Sequence, residues 1–182
     1  MDKGVQAGQK IILTGWIGLD GMQIVMDQKE RELRERFSRA FLAEIKEQAD
    51  RVPACPAEEM EALTGETVRP VGEGGIFAAL WDLAKEEKTG LHVDLKKFPV
   101  RQETIEICEL YRMNPYQLRS GGCFLIVTED ESRVVKELSA RGIPAAVIGE
   151  LTNNNDKIIQ NGEDIRYIDR PAPDELEKIL WK

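Results

Sequence analysis

Three glycines within four residues, Gly72-Glu73-Gly74-Gly75, join a β-branched run to an apolar run. No other stretch limits the fold as much. Thr67 to Val71 reads as a strand, while Ile76 to Lys85 carries Ile76, Phe77, Leu80, Trp81, Leu83 and Ala84 at helical spacing on more than one side. A helix apolar on several sides is central and buried. Glycines at its start would leave backbone N–H groups open, with the positive end of the helix dipole behind them, so a phosphate or carboxylate could settle there. The same glycines serve equally well in a tight turn that needs only backbone freedom. Spacing alone does not separate the two readings. The run is neither a Walker loop nor a Rossmann fingerprint, because no Gly-Lys-Ser/Thr follows and no G-x-G-x-x-G is present.

A second flexible turn, Ser120-Gly121-Gly122, precedes the continuous apolar strand Cys123 to Val127. The candidate phosphate- or ligand-binding residues are therefore Gly72, Glu73, Gly74, Gly75, Ser120, Gly121 and Gly122, with Arg69 beside the first turn as a possible anion partner. For the second turn alone, and for Arg69 alone, the simpler readings are a plain turn and a surface arginine. Asp20, Asp82, Asp94 and Glu150 are scattered, so no metal site is expected.

Around these turns the pattern mixes helices and strands. Lys10 to Trp16 reads as a strand, Gly18 to Gly21 as a turn, and Ile24 to Arg36 as a charged helix. Ser38 caps the next helix, where Phe41, Ile45 and Ala49 recur every four residues. Pro53 and Pro56 punctuate before a short helix from Ala57 to Leu63, and Gly90 opens a strand from Leu91 to Leu95. Glu103 to Arg112 is helical. Thr128 to Glu131 fits a capping box with Thr128 as the cap, and Ala145 to Ile148 is a strand. Asn161-Gly162 between Lys157–Gln160 and Glu163–Ile168 predicts a type I′ hairpin. The fold class is α+β, in mixed α/β/α layers, with a C-terminal hairpin.

The 182 residues suggest one domain. A net charge of -8 would repel a phosphate backbone and offers no basic face to anionic lipid, so neither nucleic acid nor membrane is an expected partner. The longest nearly apolar stretch, Ile11 to Leu19, is too short to span a bilayer, and the polar start Met1-Asp2-Lys3-Gly4 does not read as a signal peptide. Three cysteines, Cys55, Cys108 and Cys123, have neither disulfide nor metal spacing, which points to a reducing, cytoplasmic compartment. Cys108 reads as a buried thiol. Cys123, after two glycines, reads as exposed, although a nucleophile paired with the lone His92 is not expected.

The run Gly8 to Gly21 (GQKIILTGWIGLDG) resembles the opening of the C-terminal domain of the AIR synthase (PurM-like) superfamily, a "G-D-x-I-(V/L)-x-T-x-x-x-G-x-(E/D)-G" pattern. VGEGGIFAAL from Val71 resembles that family's H-D-x-T-E-G-G turn and helix. Tyr116 to Ile126, and AAVIGELT from Ala145, are similar to its closing strands. The likeness covers residues 8–169 and is strongest to hydrogenase maturation factors of the HypE type. It implies a PurM C-terminal domain-like fold, a three-layer domain with a mixed sheet, preceded by a leader (residues 1–7), spanning 8–170 and followed by a helical tail (171–182). It also implies glycine turns that line a nucleotide cleft whose ATP- and magnesium-binding half is a separate N-terminal domain.

Two departures from the family pattern shape the functional expectation. The family's His, Asp and Thr are replaced by Arg69, Pro70 and Gly72, and the chain ends Ile179-Leu180-Trp181-Lys182 without the cysteine that a HypE enzyme uses. Carbamoyl dehydration is therefore not expected. Three expectations remain: a non-catalytic binding or regulatory module; one half of a split enzyme; or a piece of a longer ATP-dependent enzyme. No cofactor is expected for the chain alone, and ATP with magnesium only when a separate ATP-binding-domain protein completes it. Self-association, a homo-oligomer, is expected through an apolar face containing Trp16, Met22 and Met26.

Overall fold

A computed structural model describes residues 4–52 and 55–180. The first half runs β1 (Lys10–Thr14), α1 (Leu19–Gln28), α2 (Glu30–Arg36), α3 (Arg39–Asp50), α4 (Ala57–Thr64), β2 (Thr67–Pro70) and α5 (Gly75–Glu86). The second half runs β3 (Gly90–Asp94), α6 (Gln102–Leu110), β4 (Phe124–Thr128), α7 (Glu131–Ala140), β5 (Ala145–Thr152), β6 (Lys157–Asn161), β7 (Asp164–Tyr167) and α8 (Glu177–Leu180). Short 3-10 turns occupy Leu95–Lys97 and Pro115–Gln117. Pro53 and Ala54, the first three residues and Trp181-Lys182 lie outside the described residues.

The strands form one mixed sheet in the order β2-β4-β1-β5-β3-β6-β7. Every neighbouring pair is antiparallel except β3 with β6. The apolar run of β1 follows from its central place: Ile11 and Leu13 face the layer built on α5, and Ile12 faces the layer of α4 and α7. β4 is buried along its whole length for the same reason. A third apolar cluster joins α1, α3, α6 and α8 through Met22, Val25, Ile45, Ile107, Leu176 and Ile179. The expected layered α/β/α architecture with a mixed sheet and a C-terminal hairpin is the observed one.

Several local expectations are corrected. Gly18 to Gly21 is not a free turn: α1 begins at Leu19, and Gly21 lies inside it because a Cβ there would sit 2.6 Å from the Leu118 side chain. The charged helix expected from Ile24 to Arg36 is two helices that meet at Lys29 (φ -121°). Thr128 ends β4 instead of capping α7. Asp130 is the cap, accepting from the Arg133 N–H at 3.1 Å, while the Thr128 hydroxyl accepts from the Asp130 N–H. In the hairpin Asn161 pairs with Asp164, so Gly162 and Glu163 form the loop. Gly162 has φ 66° and Glu163 is not among the positive-φ residues, which is the II′ pattern with glycine first. β5 runs on to Thr152, past Gly149, where a Cβ would overlap the His92 carbonyl of β3. That close approach explains a glycine inside a strand.

The self-association face expected at Trp16, Met22 and Met26 loses Met22 to the core, while Trp16 and Met26 are half-buried. Met22 is fully buried, and the Arg101 guanidinium lies 4.0 Å above the half-buried Trp16 ring. Met26 lines a groove of about 960 Å³ between α1, α2 and α3. Cys123, expected to be exposed, is buried against the Trp16 carbonyl, and burial pushes its thiol up to about 12. Burial does the same to Cys108, also to about 12. Titration of the native chain with a thiol reagent at pH 8 should therefore find Cys55 alone, and the other two cysteines only after unfolding. Rapid native labelling of Cys123 would contradict its burial.

Candidate functional site

The two glycine turns that the sequence singles out meet in space. The Ser120 N–H donates to the Gly72 carbonyl at 3.2 Å, and the segment from Asn114 to Gly122 lies across the N-termini of both α1 and α5. Each helix starts on a left-handed glycine, Gly18 (φ 79°) and Gly74 (φ 83°), and neither has a side-chain cap of its own from that position. The chain comes very close at Gly75 (φ 72°): a Cβ there would lie 2.6 Å from the Tyr116 carbonyl and 2.7 Å from that of Leu118. Gly72 is different, with open space around it and an ordinary φ.

Carboxylates of the chain itself occupy both helix starts. Asp174, from the segment before α8, accepts the Gly74 N–H at 2.7 Å through Oδ2 and the Leu176 N–H at 3.0 Å through Oδ1, and is 6% exposed. Its charge sits where the α5 dipole favours an anion. Beside it, Glu175 accepts the Asn114 N–H at 3.0 Å and pairs with Lys178 at 2.6 Å. At α1, Asp20 accepts the Gly121 N–H at 3.1 Å and pairs with Arg119 at 2.6 Å. A side chain one hundred residues further along the chain thus supplies the negative group at the start of α5.

The remaining candidates divide. Ser120 is wholly buried, and its hydroxyl accepts the Gly18 N–H and donates to the Leu118 carbonyl, each at 2.8 Å, so it ties the second turn to the start of α1. Gly121 approaches Asp20, where a Cβ would be 2.7 Å from the carboxylate, and Gly122 supplies a positive φ of 87°. Glu73 is exposed. Arg69 points away from the turn to the far end of α5, where it pairs with Glu86 and, at 2.7 Å, with Glu87. Two carboxylates already hold it. Among the described residues no group of three His, Cys, Asp or Glu side chains is arranged to hold a metal ion.

A cleft of about 400 Å³ opens beside Gly74, and the residues on its hairpin side were not among the candidates the sequence singled out. Phe77 and Tyr116, stacked with centroids 5.3 Å apart, form one wall, and Arg166 and Arg170 stand on the hairpin side. Neither arginine makes an ion pair among the described residues. The signal was present in the alternation Asp164-Ile165-Arg166-Tyr167, but only the tertiary fold brings that strand near the glycine turn.

The model of the family described as AIR synthase related protein, C-terminal domain, matches residues 6–161. The chain belongs to that family. A "putative hydrogenase expression/formation protein" of Methanocaldococcus jannaschii is 24% identical, aligned over 98% of this chain and 52% of its own length. The carbamoyl dehydratase HypE of Rhizobium leguminosarum bv. viciae is 24% identical over 84% of this chain and 43% of its own length. Among solved structures, E. coli HypE, a hydrogenase maturation protein, superposes with a TM-score of 0.73 at 20% identity, over 94% of this chain and 52% of that one. At that identity the superposition shows the shared fold. The AIR synthase-related domain described here thus spans about half the length of these relatives, and it shares the PurM-like fold of HypE. No helix among the described residues is long and apolar enough to cross a membrane.

Proposed function

We propose that this AIR synthase-related domain is a binding or regulatory module that is not catalytic by itself. The seat of Asp174 on the Gly74 N–H carries this reading, because the helix start best placed to receive a phosphate already holds a buried carboxylate. A further observation supports it. Arg69, the one basic side chain the sequence placed beside that turn, is held by Glu86 and Glu87. Among the described residues no group of three His, Cys, Asp or Glu side chains is arranged to hold a metal ion, and none is proposed to do so. No chemical step is assigned to them.

A second reading has its own support. The hydrogenase-related relatives named above are about twice as long, and the matching family model is that of a C-terminal domain. On that reading this domain closes over a nucleotide held by a separate or preceding ATP-binding domain, and its glycine turns help position the phosphates. Calorimetric titration with Mg-ATP separates the readings. The chain alone should give no heat, and micromolar binding would overturn the first reading. Heat that appears only when an ATP-binding domain of the same superfamily is added would support the second.

A further inference from the structure

We infer that β7 is a self-complementary edge through which two copies of this chain join their sheets about a two-fold axis. The inference stands apart from either reading of the glycine turns. β7 ends the sheet, and no strand among the described residues pairs with its outer side. All four of its residues are exposed, including two large apolar ones, Ile165 at 60% and Tyr167 at 63%. Only one other large apolar side chain among the described residues, Leu180, is comparably exposed. An uncovered strand edge is a template for another strand, and natural proteins usually blunt it.

The backbone direction follows from the hairpin ladder. The Ile168 N–H donates to the Lys157 carbonyl at 2.8 Å, and Asn161 pairs with Asp164. Backbone groups alternate sides along an antiparallel strand, so those of Asp164, Arg166 and Ile168 face β6. The N–H and C=O of Ile165 and Tyr167 therefore face outward.

The side chains choose the partner and the register. With Ile165 on the axis, it exchanges two backbone hydrogen bonds with Ile165 of the second copy. Asp164 of each copy then lies opposite Arg166 of the other, giving two direct opposite-charge pairs on one face. On the other face, Tyr167 of each copy reaches diagonally to Ile165 of its mate. Sliding the register to set Ile165 against Tyr167 would place Arg166 against its own copy, which like charge disfavours. Within one chain, Asp164 and Arg166 face only Asn161 and Ile159 across the hairpin, so their charges have no cross-strand partner there. A strand reading acid, apolar, base, aromatic matches itself when turned end for end about its second residue. The second copy of this chain is the occupant this argument selects.

A four-residue edge buries less than a standard stable interface, so association should be weak, at micromolar to millimolar concentration. Sedimentation of the full chain from about 10 µM to about 1 mM should show a reversible monomer–dimer equilibrium. Asp164→Arg alone, and Arg166→Asp alone, each set like charges in both cross-strand pairs and should weaken dimerisation by about tenfold or more. Both side chains are exposed, and circular dichroism would confirm that each variant folds. An equimolar mixture of the two variants restores opposite charges at both positions, so it should dimerise although neither variant does so alone. Three results would overturn the inference: a wild-type chain that stays monomeric throughout, single variants that associate like wild type, or a mixture that associates no better than its components.

Discussion

Replacing Asp174 with alanine should lower the stability of the domain by about 2–4 kcal/mol, because two N–H groups in buried hydrogen bonds lose their acceptor at once. For a chain of this size that corresponds to a fall in Tm of about 5–15 °C. Asp174→Asn should cost less, since its carbonyl oxygen can still accept one of the two N–H groups, although its amide group cannot accept the other. Leu176 and Ile179 stay packed in the helical cluster, so the alanine variant should remain folded. Scanning calorimetry of the wild type and the two variants checks this order. A Tm for Asp174→Ala within 1–2 °C of wild type, a change of about 0.5 kcal/mol, would mean that the carboxylate does not cap α5.

Gly75→Ala should be more damaging still. Its Cβ would meet two backbone carbonyls, of Tyr116 and Leu118, neither of which can move without shifting the loop that ties both turns together. The positive φ adds a left-handed cost of about 1–2 kcal/mol. A total loss above about 4 kcal/mol is expected, which places this substitution in the exceptional tail for single changes. Gly72→Ala is the control. With nothing near its Cβ position, it should stay within about 0.5 kcal/mol of wild type. Urea denaturation midpoints measure both. Equal effects at the two positions would show that the turn is held by its general flexibility rather than by contact with the 116–118 loop.

The sequence made the layers legible wherever burial leaves a strong local pattern. β4 reads as a strand because both its faces are buried, and α5 reads as a central helix because apolar residues surround it. The glycine run was also legible as a turn, with an anion seat and plain backbone freedom both left open. What sat there was not, because Asp174 is a hundred residues away and nothing local distinguishes it from other acidic residues near the end of the chain. Arg69 misled for a geometric reason. It is three residues from Gly72 in sequence, but α5 runs back alongside β2, so the arginine meets Glu86 and Glu87 at the far end of that helix. Asn-Gly indicated the hairpin and misplaced its loop by one residue, since glycine alone satisfies the positive φ that this turn needs. Thr128 misled in the same way: its hydroxyl does accept a backbone N–H, but from the end of a strand.

The neighbours of β1 in the sheet also govern the order in which this domain can be assembled. The first strand of the chain pairs with β4 on one side and with β5 on the other, joining Lys10 to Thr128 and to Glu150. During synthesis this largely buried strand must therefore wait, unpaired, until most of the chain has left the ribosome. Contacts between residues so far apart in sequence slow folding and leave a sticky segment uncovered in the meantime. A chain stopped before Phe124 would leave both flanks of β1 bare, and one stopped between Thr128 and Ala145 would leave one, which makes the closing third of the sequence as necessary to this strand as the residues beside it.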